Sequence, residues 1–395
     1  MIYRHGWHIL RLRRDFIMMA IAPARPSEQS ASQALGITVA DRPVDYGFVA
    51  TALAVLDRDR RRCPETPLLT LALPAAPMVD LYMKDESAHP TGSLKHRLAR
   101  SLFTSGIVAG VIRQGRPLVE ASSGSTAVSE AYFARLLALP FHAVMPATTA
   151  RAKIHAIEAQ GGQCHLVEPH RLYDEARDLA DALGGVYLDQ FTNASPATDW
   201  RCDNIASAIL AQMAGEPHAI PEWIVAGAGT GGTAATIGRH CRYRGVATRL
   251  CVADVEYSAF YQGYRDNDAA ARCPLPSRIE GVGRPRVEPS FLPGTIDRMM
   301  KLPDAVSIAG MRVASDLLGR PVGPSTGANF VAAALLALDM TAEDRAGSIA
   351  TLICDHGARY ADCHHDRRWL TAQGLAESVD VAEMRLRTML LKDAE

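Results

Sequence analysis

The run Pro90-Thr91-Gly92-Ser93-Leu94-Lys95-His96-Arg97 places one lysine at the end of a small-residue turn and at the start of a helical pattern. Proline ends the extended segment before it, glycine permits a tight turn, and Ser93 is available to cap the helix. A long cationic side chain is thereby held at the base of a polar pocket. A lysine amine so placed can form a Schiff base with a carbonyl compound, pyridoxal phosphate among them. Read alone, Lys95 is equally a solvated residue on a first helical turn, the usual fate of a lysine.

Three further turns carry chemistry. In Ser122-Ser123-Gly124-Ser125-Thr126, hydroxyls and free backbone N–H groups converge at a predicted helix N-terminus. Such a place binds a carboxylate or phosphate, or is simply a serine-rich cap. In Gly227-Ala228-Gly229-Thr230-Gly231-Gly232-Thr233, glycines let the backbone approach a ligand and aim several N–H groups at one anion. Gly227, Gly229 and Gly232 also spell G-x-G-x-x-G, with Asp254 at the end of the next predicted strand. That is the dinucleotide fingerprint, and it keeps an NAD-dependent dehydrogenase in view. Gly323-Pro324-Ser325-Thr326-Gly327 matches the G-x-S-x-G elbow of hydrolases, with Asp355 and His364 or His365 following in order. Leu317–Val322, however, leaves little room for the strand an elbow needs. Asp355-His356 and Asp362-Cys363-His364-His365-Asp366 are metal-ligand types, but adjacent residues do not face one centre, so no metal site is expected.

The elements around these turns alternate. Predicted strands are Val79–Met83, Pro117–Ala121, Phe141–Met145, Cys164–Val167, Trp223–Ala226, Arg249–Ala253 and Ile349–Cys354. Helices are predicted from Gly47 to about residue 62, over 126–138, 150–160 and 328–338, and over 379–391 in a packing role. Short apolar strands separated by helices imply parallel sheets covered on both faces, hence an α/β fold.

The chain has 395 residues, 48% hydrophobic and 22% charged, with a formal net charge of −1. That length implies two or three domains, and that charge gives no argument for nucleic acid or an anionic membrane. No apolar run approaches the length of a bilayer span. The eight cysteines are scattered without a C-x-x-C pair, which argues against a disulfide framework and for a reducing compartment. Residues 1–25 hold five arginines and one acid, then Phe16–Ala22 is apolar. This is short for a secretion signal, and a flexible extension, or a start at Met18 or Met19, is the plainer expectation.

Taken together, the four turns resemble the tryptophan synthase β-like, fold type II, pyridoxal-phosphate enzymes over residues 60 to 360. Within them the chain is similar to the cysteine synthase family. The resemblance implies two domains, each with a helix-covered, mostly parallel twisted sheet. Residues 1–42 would be an extension, 43–90 and 188–366 a large cofactor-binding domain, 91–187 a small mobile substrate domain, and 367–395 a helical tail. It makes Lys95 the Schiff-base residue, Gly229, Thr230, Gly231, Gly232 and Thr233 the phosphate cup, and Ser325 the hydroxyl at the pyridine nitrogen. Ser125 takes the position beside the cofactor's phenolic oxygen. Ser122, Ser123, Gly124 and Thr126 would grip the substrate carboxylate, with Gln190 and Gly281 on the substrate side. The resemblance also implies a small amino-acid substrate, a homodimer and a cytoplasmic location.

The departures narrow it. Lys95 is followed by His96 where the family usually has an acid, Ser125 replaces an asparagine, and the lysine turn reads Pro-Thr-Gly-Ser. With Asp189-Gln190-Phe191 and Ser277–Arg286, these features resemble the actinobacterial-type L-cysteine desulfhydrases. The activity so implied is β-elimination on L-cysteine to sulfide, ammonia and pyruvate through an aminoacrylate, the alternative being synthase-type β-replacement. A serine at the pyridine nitrogen withholds the charge an aspartate would supply, which favours loss of a β-leaving group over transamination. Arg284 and Arg286, near the expected entrance, either recruit an anion or form surface ion pairs.

Overall fold

The computed structural model describes residues 44–391. The N-terminal expectations, including Met18, Met19 and the 1–42 extension, lie outside them. Residues from Asp45 onward group as one compact unit built on two sheets.

The larger sheet has strand order β1-β2-β10-β7-β8-β9. Its strands are β1 (Leu68–Leu71), β2 (Val79–Asp85), β7 (Trp223–Gly227), β8 (Arg249–Val255), β9 (Arg298–Leu302) and β10 (Gly347–Ile353). β1 runs antiparallel to β2, and every other pairing is parallel. Side chains alternate across a strand, and here both faces are apolar. Leu81, Met83, Trp223, Val225, Ile349 and Ile353 enter one core cluster, while Tyr82, Ile224, Ala226, Ala350 and Leu352 enter another. Helices Asp304–Leu318, Pro324–Ala342 and Ala376–Leu391 cover the first face. Helices Ile205–Met213 and Gly232–Arg244 cover the second.

The smaller sheet is wholly parallel, in the order β5-β4-β3-β6. It comprises β3 (Leu118–Ala121), β4 (Phe141–Pro146), β5 (Gln163–Val167) and β6 (Val186–Tyr187). Leu118, Phe141, Ala143 and Met145 pack under helices Lys95–Val108 and Ser125–Leu136. Val119, Ala121 and Val144 pack under helix Leu172–Ala182.

Several expectations shift. Helix Tyr46–Arg62, grouped by sequence with the large sheet, sends Ala52 and Leu56 into the small-sheet core instead. The helix expected from residue 328 begins at Pro324, because proline fits a first helical position and lacks only an N–H that would go unused there. Ser325 therefore sits inside the first turn. The helix expected at 379–391 starts at Ala376 and buries Val379, Leu386 and Leu390, the packing role expected of it. Among the described residues no helix is long and apolar enough to cross a membrane.

Candidate active site

The chemistry gathers where strands end. β3, β4, β7 and β10 deliver their carboxyl ends to one cavity of about 920 Å³, lined there by Ala121, Pro146, Gly227 and Leu352. This is the edge at which open α/β sheets place ligands. Every residue expected at the site lines it except Gly232. Gly232 begins the helix behind the cup.

Lys95 opens helix Lys95–Val108. Ser93 does not cap it as expected: Leu94 holds the cap position without a side-chain bond, and the Ser93 hydroxyl accepts only from Lys95 N, at 3.3 Å. The first turn is anchored by Arg97, whose Nε donates to Glu86 Oε2 at 2.7 Å and whose Nη2 donates to Oε1 at 2.9 Å. Glu86 is fully buried. Burial alone would raise its pKa, but Arg97 and the bond to His89 hold it well below the usual carboxylate range. The lysine is thus aimed by a paired charge two residues along. Loss of water around the Lys95 amine pushes its pKa below the usual lysine value, while Cys354 and Asp355 pull the other way. The neutral, nucleophilic amine is thereby more accessible than in a solvated lysine.

The turn Gly229–Thr233, expected to hold the cofactor phosphate, is made by glycine and by contact between loops. A Cβ on Gly229 would stand 2.2 Å from the Gly281 carbonyl oxygen. Gly231 has φ +89°, and its Cβ would stand 2.5 Å from Phe291 Cα. Gly231 is the N-cap of helix Gly232–Arg244 and offers no side-chain cap. An anion there meets amides and a helix dipole without a cationic side chain. The substrate turn is similar at its end: Gly124 caps helix Ser125–Leu136 without a side-chain bond. Ser122 Oγ accepts from Gly124 N at 3.2 Å, which shapes the turn rather than closing the helix. Gln190 opens helix Gln190–Ala197, and its Oε1 accepts from Thr126 Oγ1 at 2.7 Å.

A model of the family described as "Pyridoxal-phosphate dependent enzyme" matches residues 61–355. The chain belongs to that pyridoxal-phosphate dependent family. It is 55% identical over 346 residues to the L-cysteine desulfhydrase of Mycobacterium tuberculosis, covering 86% of this chain and 94% of that one. Among solved structures it resembles an O-ureido-L-serine synthase at 26% identity, with a TM-score of 0.67 over 78% of this chain and 92% of that one. A hydrogen sulfide-producing enzyme of Fusobacterium nucleatum shares the fold at 22% identity, with a TM-score of 0.69 over 82% and 96% of the two chains. The fold is thus the α/β, tryptophan synthase β-like one of this family, and pyridoxal phosphate is its cofactor.

The residues present fit that group. A phosphate cup walled by backbone, a partly desolvated lysine and a neutral hydroxyl at Ser325 share one cavity. The dehydrogenase reading fails on Asp254. Its buried carboxylate accepts from Tyr261 N at 2.9 Å and is pushed up to about 6 by burial, so no ribose is within its reach. The hydrolase reading fails because His364 and His365 bond the carbonyls of Arg278 and Val322. Arg284 and Arg286 both pair with buried Glu288, and Arg284 lies over the Phe191 ring, so ion pairing rather than anion recruitment accounts for them.

Sequence reasoning missed four side chains on the cavity wall. Asp355, pushed up to about 6 by burial, accepts from Tyr360 OH at 2.6 Å. Lys153 reaches Glu280 at 2.8 Å across the mouth. Just behind, Arg359 donates to Ser125 Oγ at 2.6 Å and to the Thr91 carbonyl at 2.7 Å, tying the substrate turn to the lysine turn. Of these, only Asp355 had a signal in the sequence, as an acid following the G-x-S-x-G turn and as a metal-ligand type.

Proposed function

We propose that this protein eliminates sulfide from L-cysteine, consuming water and releasing ammonia and pyruvate. The observation that carries the reading is the cavity itself. It joins a lysine amine held toward neutrality to two helix N-termini without side-chain caps, one for each anionic group of cofactor and substrate. The desulfhydrase relative, 55% identical across most of both chains, supports the choice of substrate.

Bound pyridoxal phosphate accepts the electron pair released at Cα, so that the sulfur on Cβ can leave. The amides of Gly229–Thr233 would hold its phosphate, and the Ser325 hydroxyl would face its ring nitrogen. Lys95 would hold it, and its Nζ would take the Cα proton of the substrate. Ser122, Ser123, Gly124 and Thr126 hold the carboxylate, and Gln190 orients Thr126. Ser125, bonded by Arg359, would stand beside the cofactor. Lys153 and Glu280 close the mouth and limit the entry of a second nucleophile. Residues 91–187, with helix Tyr46–Arg62 packed against them, act as the moving part over the large-sheet domain. The eight free cysteines support a reducing, cytoplasmic setting. A homodimer rests on the family resemblance and is read by light scattering.

Incubation with L-cysteine alone tests the reaction, with sulfide and pyruvate expected in equal amounts. Turnover that requires O-acetylserine plus sulfide would establish β-replacement instead. Lys95→Ala is expected to lose the visible absorbance of the bound cofactor and to lower turnover by about 10²–10⁴-fold or more.

A further inference from the structure

Two buried carboxyl groups behind the substrate turn have no part in the chemistry above. Glu120 lies on β3 and Glu130 on helix Ser125–Leu136, both at 0% exposure. Glu120 Oε1 accepts from Ala121 N at 2.8 Å, and its Oε2 accepts from Gln190 N at 3.1 Å. Neither oxygen of Glu130 has a donor among the described residues. The Glu120 carboxyl lies near enough to act on it.

Among the described residues, no cation is among the leading influences on either carboxyl. Asp189 adds further negative charge against Glu120, and Tyr187 brings only a neutral phenol. Other titratable groups on the packed elements are engaged elsewhere. His142 bonds His165 on the adjacent strands, Tyr132 bonds Asp59, and Arg177 lies over the Tyr187 ring. Two dry carboxylates side by side cannot both ionise: burial raises both groups, with Asp189 adding to it at Glu120 and Glu120 adding to it at Glu130. A proton held between them supplies the donor that Glu130 otherwise lacks.

The pair joins two ligand-bearing helices. Glu130 is on the helix of Ser125 and Thr126, and Glu120 holds the first N–H of the helix that Gln190 opens. Asp189, immediately before, has φ +46°, a left-handed backbone that needs such a hold. We infer that Glu120 and Glu130 share one proton and act as a positioning pair, setting Gln190 against Thr126 so that substrate affinity depends on that proton. Its loss at alkaline pH leaves two facing charges, parts the helices and raises KM while leaving kcat nearly unchanged.

The inference rests on the proposed site for its effect on substrate, and two readouts separate the failures. Infrared spectra of the holoenzyme without substrate read the pair directly. A protonated-carboxyl band is expected in the wild type and absent in both E130Q and E120Q. The second readout is KM for L-cysteine against pH. Relative to E130Q, whose amide donates at every pH, the wild-type KM is expected to climb by up to about tenfold per pH unit on the alkaline side, the limit for one proton. No such band, or a band unchanged in both variants, overturns the shared proton. A band lost in E130Q with superimposable KM profiles overturns the positioning role. If L-cysteine is not turned over at all, the reaction assignment falls, and the infrared result still decides whether the proton is shared.

Discussion

The two turns proposed to bind anions are built on opposite plans. The phosphate cup on the larger sheet is fixed by main chain against main chain: Gly229 against Gly281, Gly231 against Phe291. The substrate turn on the smaller sheet is held by side chains: Arg359 on Ser125, Thr126 on Gln190, with Lys153 to Glu280 across its mouth. Backbone contacts have two states, fitting or clashing. Side-chain ties stretch and re-form at small cost. The cup is therefore the fixed half of the site and the substrate turn the adjustable half, as needed where one ligand stays and the other comes and goes.

Substitutions sharpen this contrast, and the cup should be the more brittle. Gly231→Ala adds a clash to a left-handed backbone and is expected to cost about 2–5 kcal/mol, with loss of the cofactor's visible absorbance after desalting. A variant that keeps both stability and absorbance would break the contrast outright. Next comes the anchor of the lysine helix. Glu86→Gln leaves Arg97 short of its buried partner and is expected to lower stability by about 3 kcal/mol in urea melts at neutral pH. Because the Glu86 pKa is depressed by folding, its contribution is present above the ordinary glutamate value of 4.5 and drains away as pH falls below it. The gap between wild type and Glu86→Gln should thus narrow in acid.

The adjustable half should respond more mildly. Arg359→Ala removes one bond to Ser125 and one to Thr91. It is expected to raise KM for L-cysteine by a few-fold, corresponding to about 1 kcal/mol, with kcat and cofactor retention unchanged. Lys153→Met breaks a partly exposed pair and should change KM by less than about threefold, an effect that shrinks further in high salt. A larger loss there than at Gly231 would reverse the order of the two halves.

Much of this was legible in the chain. Strands β2, β7 and β8 were readable because both faces are buried and the apolar runs are continuous. β1, β6 and β9 were not: β6 has two residues, and β9 mixes Arg298 and Lys301 with Met and Leu at the sheet edge. The four turns were readable because glycine, serine and proline mark them locally. Their convergence was readable only through the family resemblance, since nothing local in Lys95 reports Ser325. Glu120 and Glu130 escaped notice because an acid in an apolar run reads as a solvent-facing position, whereas both point inward. Arg359 escaped because an arginine in a turn has no periodicity to betray its target.

The order of strands in the larger sheet sets a timetable for synthesis. β2, which leads into the lysine turn, lies between β1 and β10, and β10 spans Gly347–Ile353. As the chain emerges from the ribosome, β2 can pair early only with its hairpin neighbour. Its other edge stays unsatisfied until nearly the whole polypeptide is made. Cofactor capture must then be a late event, because Lys95, the cup and Ser325 meet only after that last strand has zipped into place. A nascent or truncated chain lacking β10 would carry the lysine without the pocket, and would expose an apolar strand edge prone to aggregation.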